Sequence, residues 1–282
     1  MKKLAIIYVC LSTLVALFAN AASHEKQHKS KYHMKAYEYA QDGRYLSALA
    51  QYDKILKINP NDSDAHRHKA TVFLKLNDHK KAMMSLDESL RLNPKNAKSH
   101  STRGVALILQ GQHDDGMLHI NNAIDIDPKD AKLYLAKGWA LIQLNRHHEA
   151  ILAFNKASEL KPNDANIHYR LGQTLLVIHK YPEAIEALNR SLALDPQSRK
   201  SHIAKGISLY AQKKYPESIK SYNEALKIQP LDSEAHFYKG KTLEKMDKNH
   251  EALKSYEKAI THSPNYKTAH KAKEQLQNKM KP

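Results

Sequence analysis

Histidine is the residue here with the most chemistry to offer: the chain has 18 in 282 residues. Near its start, His24-Glu25-Lys26-Gln27-His28 spells H-E-x-x-H. On a helix that spacing sets two imidazoles one turn apart around a zinc ion, with the glutamate as general base. Such a site also needs a third ligand and a cleft built around the helix. The motif lies in a short polar leader, and the remaining chain follows one repeating pattern that supplies no catalytic domain. A hydrolase is therefore not expected. A second metal reading survives. Cleavage after Ala21 would expose Ala22-Ser23-His24, whose amine, amides and imidazole suit square-planar Cu(II) or Ni(II). That makes His24 the one metal candidate, and a copper- or nickel-binding histidine-rich protein the alternative reading.

Six further histidines, His66, His100, His168, His202, His236 and His270, fall on multiples of a 34-residue step. Packed helices sit about 8–10 Å apart, whereas a metal needs its nitrogens at about 2 Å. One ring per repeat is too sparse to chelate. The expected role is packing, with a flat ring between helices and one nitrogen reaching a polar neighbour. His147 and His148 are expected in a solvated turn. No Gly-rich phosphate loop, nucleophile elbow or paired-cysteine zinc motif occurs, so neither catalytic residues nor a cofactor are expected.

The N-terminus carries Lys2 and Lys3, an uncharged stretch from Leu4 to Phe18, and then Ala19-Asn20-Ala21. That order is the pattern of a secretory signal peptide over 1–21. The chain is read as exported, periplasmic or secreted, with no membrane span once the signal is cleaved. The one cysteine, Cys10, lies inside that segment, so export proceeds without a disulfide. The net charge of +16 favours anionic partners without naming one. The surplus concentrates in the later repeats and the terminal segment, so the basic ends suit contact with an anionic surface. Charge alone permits nucleic acid, but no recognition motif supports it, and none is expected.

These side chains need elements to hold them, and the prolines reveal those elements. Pro60, Pro94, Pro128, Pro162, Pro196, Pro230 and Pro264 share the 34-residue step, as do Gly104, Gly138, Gly172, Gly206 and Gly240. A period of that length marks a stacked-repeat architecture. Within 131–164, Leu133, Ala136, Ala140 and Leu144 form one helical stripe, and Ala150, Ile151, Phe154 and Ala157 form a second. Each unit is thus a helical hairpin. Asp62, Asn96, Asp130, Asp164, Ser198 and Asp232 close their units as N-caps for the next helix. Pro182 and Pro216 fit at the start of second helices, where a missing N–H costs nothing. Glu183, Glu217 and Glu251 sit where they complement a helix dipole. A recurring mid-helix glycine costs helix propensity, which points to a place where two helices press too close for a Cβ.

Tyr134, Gly138, Ala150, Phe154, Ala157 and Pro162 together resemble the tetratricopeptide repeat pattern. Seven units follow in register: 29–62, 63–96, 97–130, 131–164, 165–198, 199–232 and 233–266. A leader at 22–28 precedes them, and a polar capping helix and tail at 267–282 close the stack. Departures are the histidines at the place of Tyr134, Gly116 where alanine is usual, and Ser89 where alanine is usual. The units holding Gly116 and Ser89 are expected to pack less tightly.

The resemblance implies an all-α, right-handed α-solenoid whose first helices line a concave groove that holds a protein or an extended peptide. Carried over residue by residue, the groove positions are Tyr37, Leu135, Trp139, Ile142, Tyr169, Arg170, Gln173, Leu176, Ile203, Ile207, Tyr210, Phe237, Tyr238 and Lys241. No unit has the lysine and asparagine of the chaperone-type carboxylate clamp. The expectation is a non-enzymatic scaffold for protein–protein interaction, in envelope complex assembly or as a secreted host-interacting factor.

Overall fold

A computed structural model describes residues 31–281. The export segment, the leader and the HEKQH run lie outside the described residues. Among those described, every regular element is an α-helix, and the chain forms an all-α solenoid of helical hairpins. It divides into two compact units, one ending at Pro128 and one beginning at Lys129.

The first unit contains α1 (residues 31–41), α2 (Tyr45–Ile58), α3 (Ser63–Lys75), α4 (His79–Leu92), α5 (Ala97–Leu109) and α6 (His113–Ile126). Its core runs between successive hairpins. Ala36, Ala48, Tyr52, Ile55, Ala65 and Val72 form one cluster, and Ala70, Ala82, Leu86 and Ala106 form the next. Gly104 and Gly116 mark the close crossing of α5 and α6. A Cβ on Gly116 would lie 2.8 Å from the Gly104 carbonyl oxygen. The looser packing expected at Gly116 is therefore corrected: lacking a side chain, it lets the helices approach further.

The second unit contains α7 (Ala131–Gln143), α8 (His147–Leu160), α9 (Ala165–Val177), α10 (Tyr181–Leu194), α11 (Arg199–Ala211), α12 (Tyr215–Ile228), α13 (Ser233–Lys245), α14 (Asn249–His262) and α15 (Lys267–Lys279). Here too each helix packs on its neighbours in sequence, and first helices also touch first helices. The terminal α15 buries only Ala269 and Leu276, Leu276 joining Leu243, Ala252 and Tyr256. Its remaining surface is polar.

Local chemistry fixes the boundaries. Asp62, Asn96, Asp130, Asp164 and Asp232 each accept a backbone N–H in the first turn of the following helix. Ser198 does not cap with its side chain; its hydroxyl instead shares a 2.8 Å bond with Ser201. Pro182 and Pro216 stand in the first turns of α10 and α12. The turn inside each hairpin needs one residue in the left-handed region. Gly43 and Gly111 take it without cost, whereas Asn77, Asn145, His179, Lys213 and Asp247 hold φ between 57° and 63°.

Ser89 is fully buried yet satisfied. Its hydroxyl shares a 2.7 Å hydrogen bond with Ser99 and lies 2.7 Å from the Ser63 carbonyl oxygen. Ser191 repeats the arrangement, 2.9 Å from Ser201 and 2.9 Å from the Ala165 carbonyl oxygen. The expectation that Ser89 loosens its unit is corrected, because the hydroxyl has partners across the joint.

Candidate functional site

The recurring histidines hold the repeats rather than a ligand. Each gives Nε2–H to the carbonyl of the proline six residues earlier, from His66 to Pro60 at 3.1 Å through His270 to Pro264 at 2.8 Å. A carbonyl can only accept, so that nitrogen carries the proton. No group of three or more metal-ligating side chains occurs among the described residues.

The functional candidate lies on the first-helix face of the second unit. Residues spaced by three and four share a helix face. Leu135, Trp139 and Ile142 therefore form a stripe on α7, and Asn166, Arg170, Gln173 and Val177 form one on α9. Between the stripes is a cavity of about 410 Å³, closed below by Phe154 of α8 and on one side by His147. Gly138 makes the floor possible, because a Cβ there would run into the Phe154 ring. His147 is corrected from a solvated turn residue to the half-buried first residue of α8 on the pocket wall.

The α7 wall and the floor are mainly apolar, and the α9 side is mainly polar, with Asn166, Arg170, Gln173 and Thr174 beside Val177. The exposed Arg170 guanidinium lies 5.7 Å from the Tyr169 ring centroid and has no carboxylate ion-pair partner among the described residues. Thr174 is already satisfied, donating to the Arg170 carbonyl at 2.8 Å. An apolar cavity with an unpaired cation at its lip suits a large apolar side chain on a chain that carries negative charge.

A second slot of the same construction lies between α13 and α15, about 320 Å³ in volume. Its chemistry differs. Lys241, Lys245 and Lys271 line it, and the Lys241 ammonium stands 5.7 Å from the Tyr210 ring and 5.8 Å from the Phe237 ring. At its floor Tyr256 donates its hydroxyl to Glu244 at 2.8 Å. Burial and that acceptor push the phenol pKa up, so it stays a donor.

The structure thus brings Leu135, Trp139, Arg170 and Gln173 into one pocket, and Tyr210 and Lys241 into another. Tyr37 stands alone on the first unit, 60% exposed. Tyr169 is half-buried beside Arg170. Ile203 is corrected: it is 4% exposed, buried with Tyr222, Ala225 and Ala235. Ile207 and Tyr238 pack on the same cluster, and Tyr238 stacks on Tyr222 with ring centroids 6.2 Å apart. Tyr238 fills the slot that Arg170 leaves open two repeats earlier. Sequence reasoning missed Phe154 as a floor, and Lys245 and Lys271 as walls. The available signal was a glycine followed sixteen residues later by a large side chain.

Models of the tetratricopeptide repeat match residues 33–97 and 135–199, with further repeat matches at 206–247 and 233–266. The chain belongs to the tetratricopeptide repeat family. Its fold is similar to that of PilW, a widely conserved type IV pilus biogenesis factor, at 18% identity and TM-score 0.67 over 74% of this chain and 97% of that one. PilF of Pseudomonas aeruginosa is similar at 17% identity and TM-score 0.65, covering 76% of this tetratricopeptide chain and 97% of PilF. YrrB, a TPR protein with an unusual peptide-binding site, shares 18% identity and TM-score 0.50 over 65% of this chain and 95% of its own. No curated protein matches by sequence. No helix among the described residues is long and apolar enough to cross a membrane.

Proposed function

We propose that this tetratricopeptide repeat chain is a non-enzymatic scaffold whose second unit holds an extended segment of a partner protein against its first helices. The observation that carries the reading is the pocket between α7 and α9. Trp139, Leu135, Ile142 and Val177 form apolar walls around a cavity large enough for an aromatic or branched side chain, and Arg170 waits unpaired at its lip. Buried aromatic anchors and arginines are the residues that dominate protein-binding energetics. Export, read from the N-terminal 21 residues, and assembly of an envelope complex complete the proposal. The fold shared with PilW and PilF is compatible with that setting, and delivery to a host partner is its variant outside the cell.

Trp139 is the single tryptophan, so its emission reports on the pocket directly. Crosslinking in the native envelope fraction, comparing wild type with Trp139→Ala and Arg170→Ala, should show a partner lost from both variants. A segment of that partner should then shift Trp139 emission on titration. Equal recovery of the same partners by all three proteins sinks the groove reading.

A further inference from the structure

A basic pocket of about 490 Å³ lies between α12, α13 and α14, lined by none of the residues of the two first-helix slots. Its charged lining is Lys227, Lys239, Lys258, His236 and His262, and no carboxylate contributes to it. Lys227 is occupied by Glu224 at 2.8 Å. Lys239 and Lys258 have no ion-pair partner among the described residues.

The repeat register sets each such cation against one residue of the preceding helix. A cation on a first helix recurrently meets the residue sixteen positions earlier on the preceding second helix. Lys69 meets Asp53 at 2.7 Å, Arg103 meets Asp87, and Lys273 meets Glu257 at 3.0 Å. At Lys137, Lys205 and Lys239 the same step falls on an asparagine, Asn121, Asn189 and Asn223, and the Asn223 amide oxygen accepts from Lys239 at 2.8 Å. The amide orients the ammonium without neutralising it, and leaves two of its three N–H donors to spare. Lys239 is half-buried, and its ammonium is driven below the usual lysine range by burial and then by the charge of Lys258, with Glu251 opposing. Two cations without ion-pair partners lining one pocket favour an anion there.

We propose that this pocket binds a phosphate group, with Lys239 and Lys258 as its two charge-assisted donors and His236 and His262 completing the wall. His236 already gives Nε2–H to Pro230 at 3.0 Å, so only its Nδ1 edge and the His262 ring remain for the ligand. A dianion with several acceptor oxygens matches two ammoniums better than a single carboxylate does. The phosphate can come from a soluble phosphate ester or from a lipid headgroup. The site is independent of the Trp139 pocket.

The test titrates inorganic phosphate into the protein and follows the ³¹P line width, with Trp139 emission read in parallel. Saturable binding is expected, with Trp139 emission unchanged, and at least tenfold weaker in Lys239→Gln/Lys258→Gln. Lys245→Gln/Lys271→Gln removes the same charge from the α13–α15 slot and should leave binding within twofold. The exposed Lys258→Gln alone serves if the double variant loses its circular dichroism, and should weaken binding at least threefold. Non-saturable binding, or equal loss in the control pair, overturns the proposal. Flotation with vesicles containing phosphatidylglycerol, against phosphatidylcholine alone, assigns the source. Retention abolished by Lys239→Gln/Lys258→Gln identifies a headgroup. Saturable phosphate binding without such retention identifies a soluble ester.

Discussion

His168 donates Nε2–H to the carbonyl oxygen of Pro162 at 2.7 Å, tying the first turn of α9 to the loop that ends α8. The ring is only 5% exposed, and five other repeats make the same bond. Because the acceptor is a carbonyl, Nε2 keeps its proton whether the ring is neutral or charged. His168→Phe keeps a flat ring but strands the Pro162 oxygen. It is expected to cost about 1 kcal/mol, read as a lower urea midpoint. An unchanged midpoint would show that the ring's shape alone matters.

Acid acts elsewhere, at His68. Arg67 donates to its Nε2 at 2.8 Å, and the ring stacks on Tyr52 with centroids 5.7 Å apart. Burial first, then the charges of Arg67 and His33, hold its pKa down to about 4, with Asp64 and Asp62 opposing. In the unfolded chain the ring titrates near 6.5, so between the two values the unfolded state binds more protons. The contribution of neutral His68 is complete above about pH 6.5 and is lost as pH falls through about 4, amounting to about 3 kcal/mol. Unfolding of His68→Leu from pH 7 to pH 4 should show a shallower loss than wild type. Parallel profiles would refute the assignment.

Gly206→Ala should destabilise by about 2 kcal/mol despite the gain in helix propensity. The new Cβ would meet the edge of the fully buried Tyr222 ring, which has no room to turn. Gly172→Ala meets the Cγ of Leu188 at 2.6 Å and the Ala184 carbonyl oxygen at 3.2 Å, and Leu188 is also fully buried, so a comparable loss is expected. Thermal unfolding of both variants checks this. Recovery of stability in Gly206→Ala/Tyr222→Leu would locate the clash.

Lys213→Gly should stabilise by about 1 kcal/mol. Lys213 holds φ at 62°, a region that costs a residue bearing a Cβ about 1–2 kcal/mol, part of which glycine gives back as unfolded-chain entropy. Gly43→Lys, at the same place in its hairpin, should do the reverse. Denaturant midpoints decide, and a fall for Lys213→Gly would mean that the lysine side chain makes a contact worth more than the strain.

The hairpins were legible because proline, glycine and capping residues each enforce a local backbone state, and their common spacing multiplies one signal along the chain. The Trp139 pocket was legible in part for the same reason. Leu135, Trp139, Arg170 and Gln173 sit on stripes that helix geometry alone assigns. Ile203 shares Leu135's register and was misplaced, since its burial depends on Tyr238 from the next repeat folding over it. The phosphate pocket was invisible at that level. Its logic lies in Lys239, Lys258, His236 and His262 lining one pocket with Asn223 and no carboxylate, and only a structure shows which side chains three helices bring together.

The paired serines carry a consequence for repeat order. Hairpins of nearly the same shape could in principle stack in any sequence, slip by one, or exchange between molecules. Ser89 and Ser191 keep a carbonyl of their own repeat, and Ser201 keeps Ser198, but the buried Ser99 hydroxyl is paired with Ser89; seating Ser99 against a repeat that offers alanine would strand it at about 1–3 kcal/mol. That joint is therefore keyed. A chain in which the hairpin before Ser99 is excised or replaced would carry a lock without its key, so the choice of neighbour at this seam is set by polarity as well as by shape.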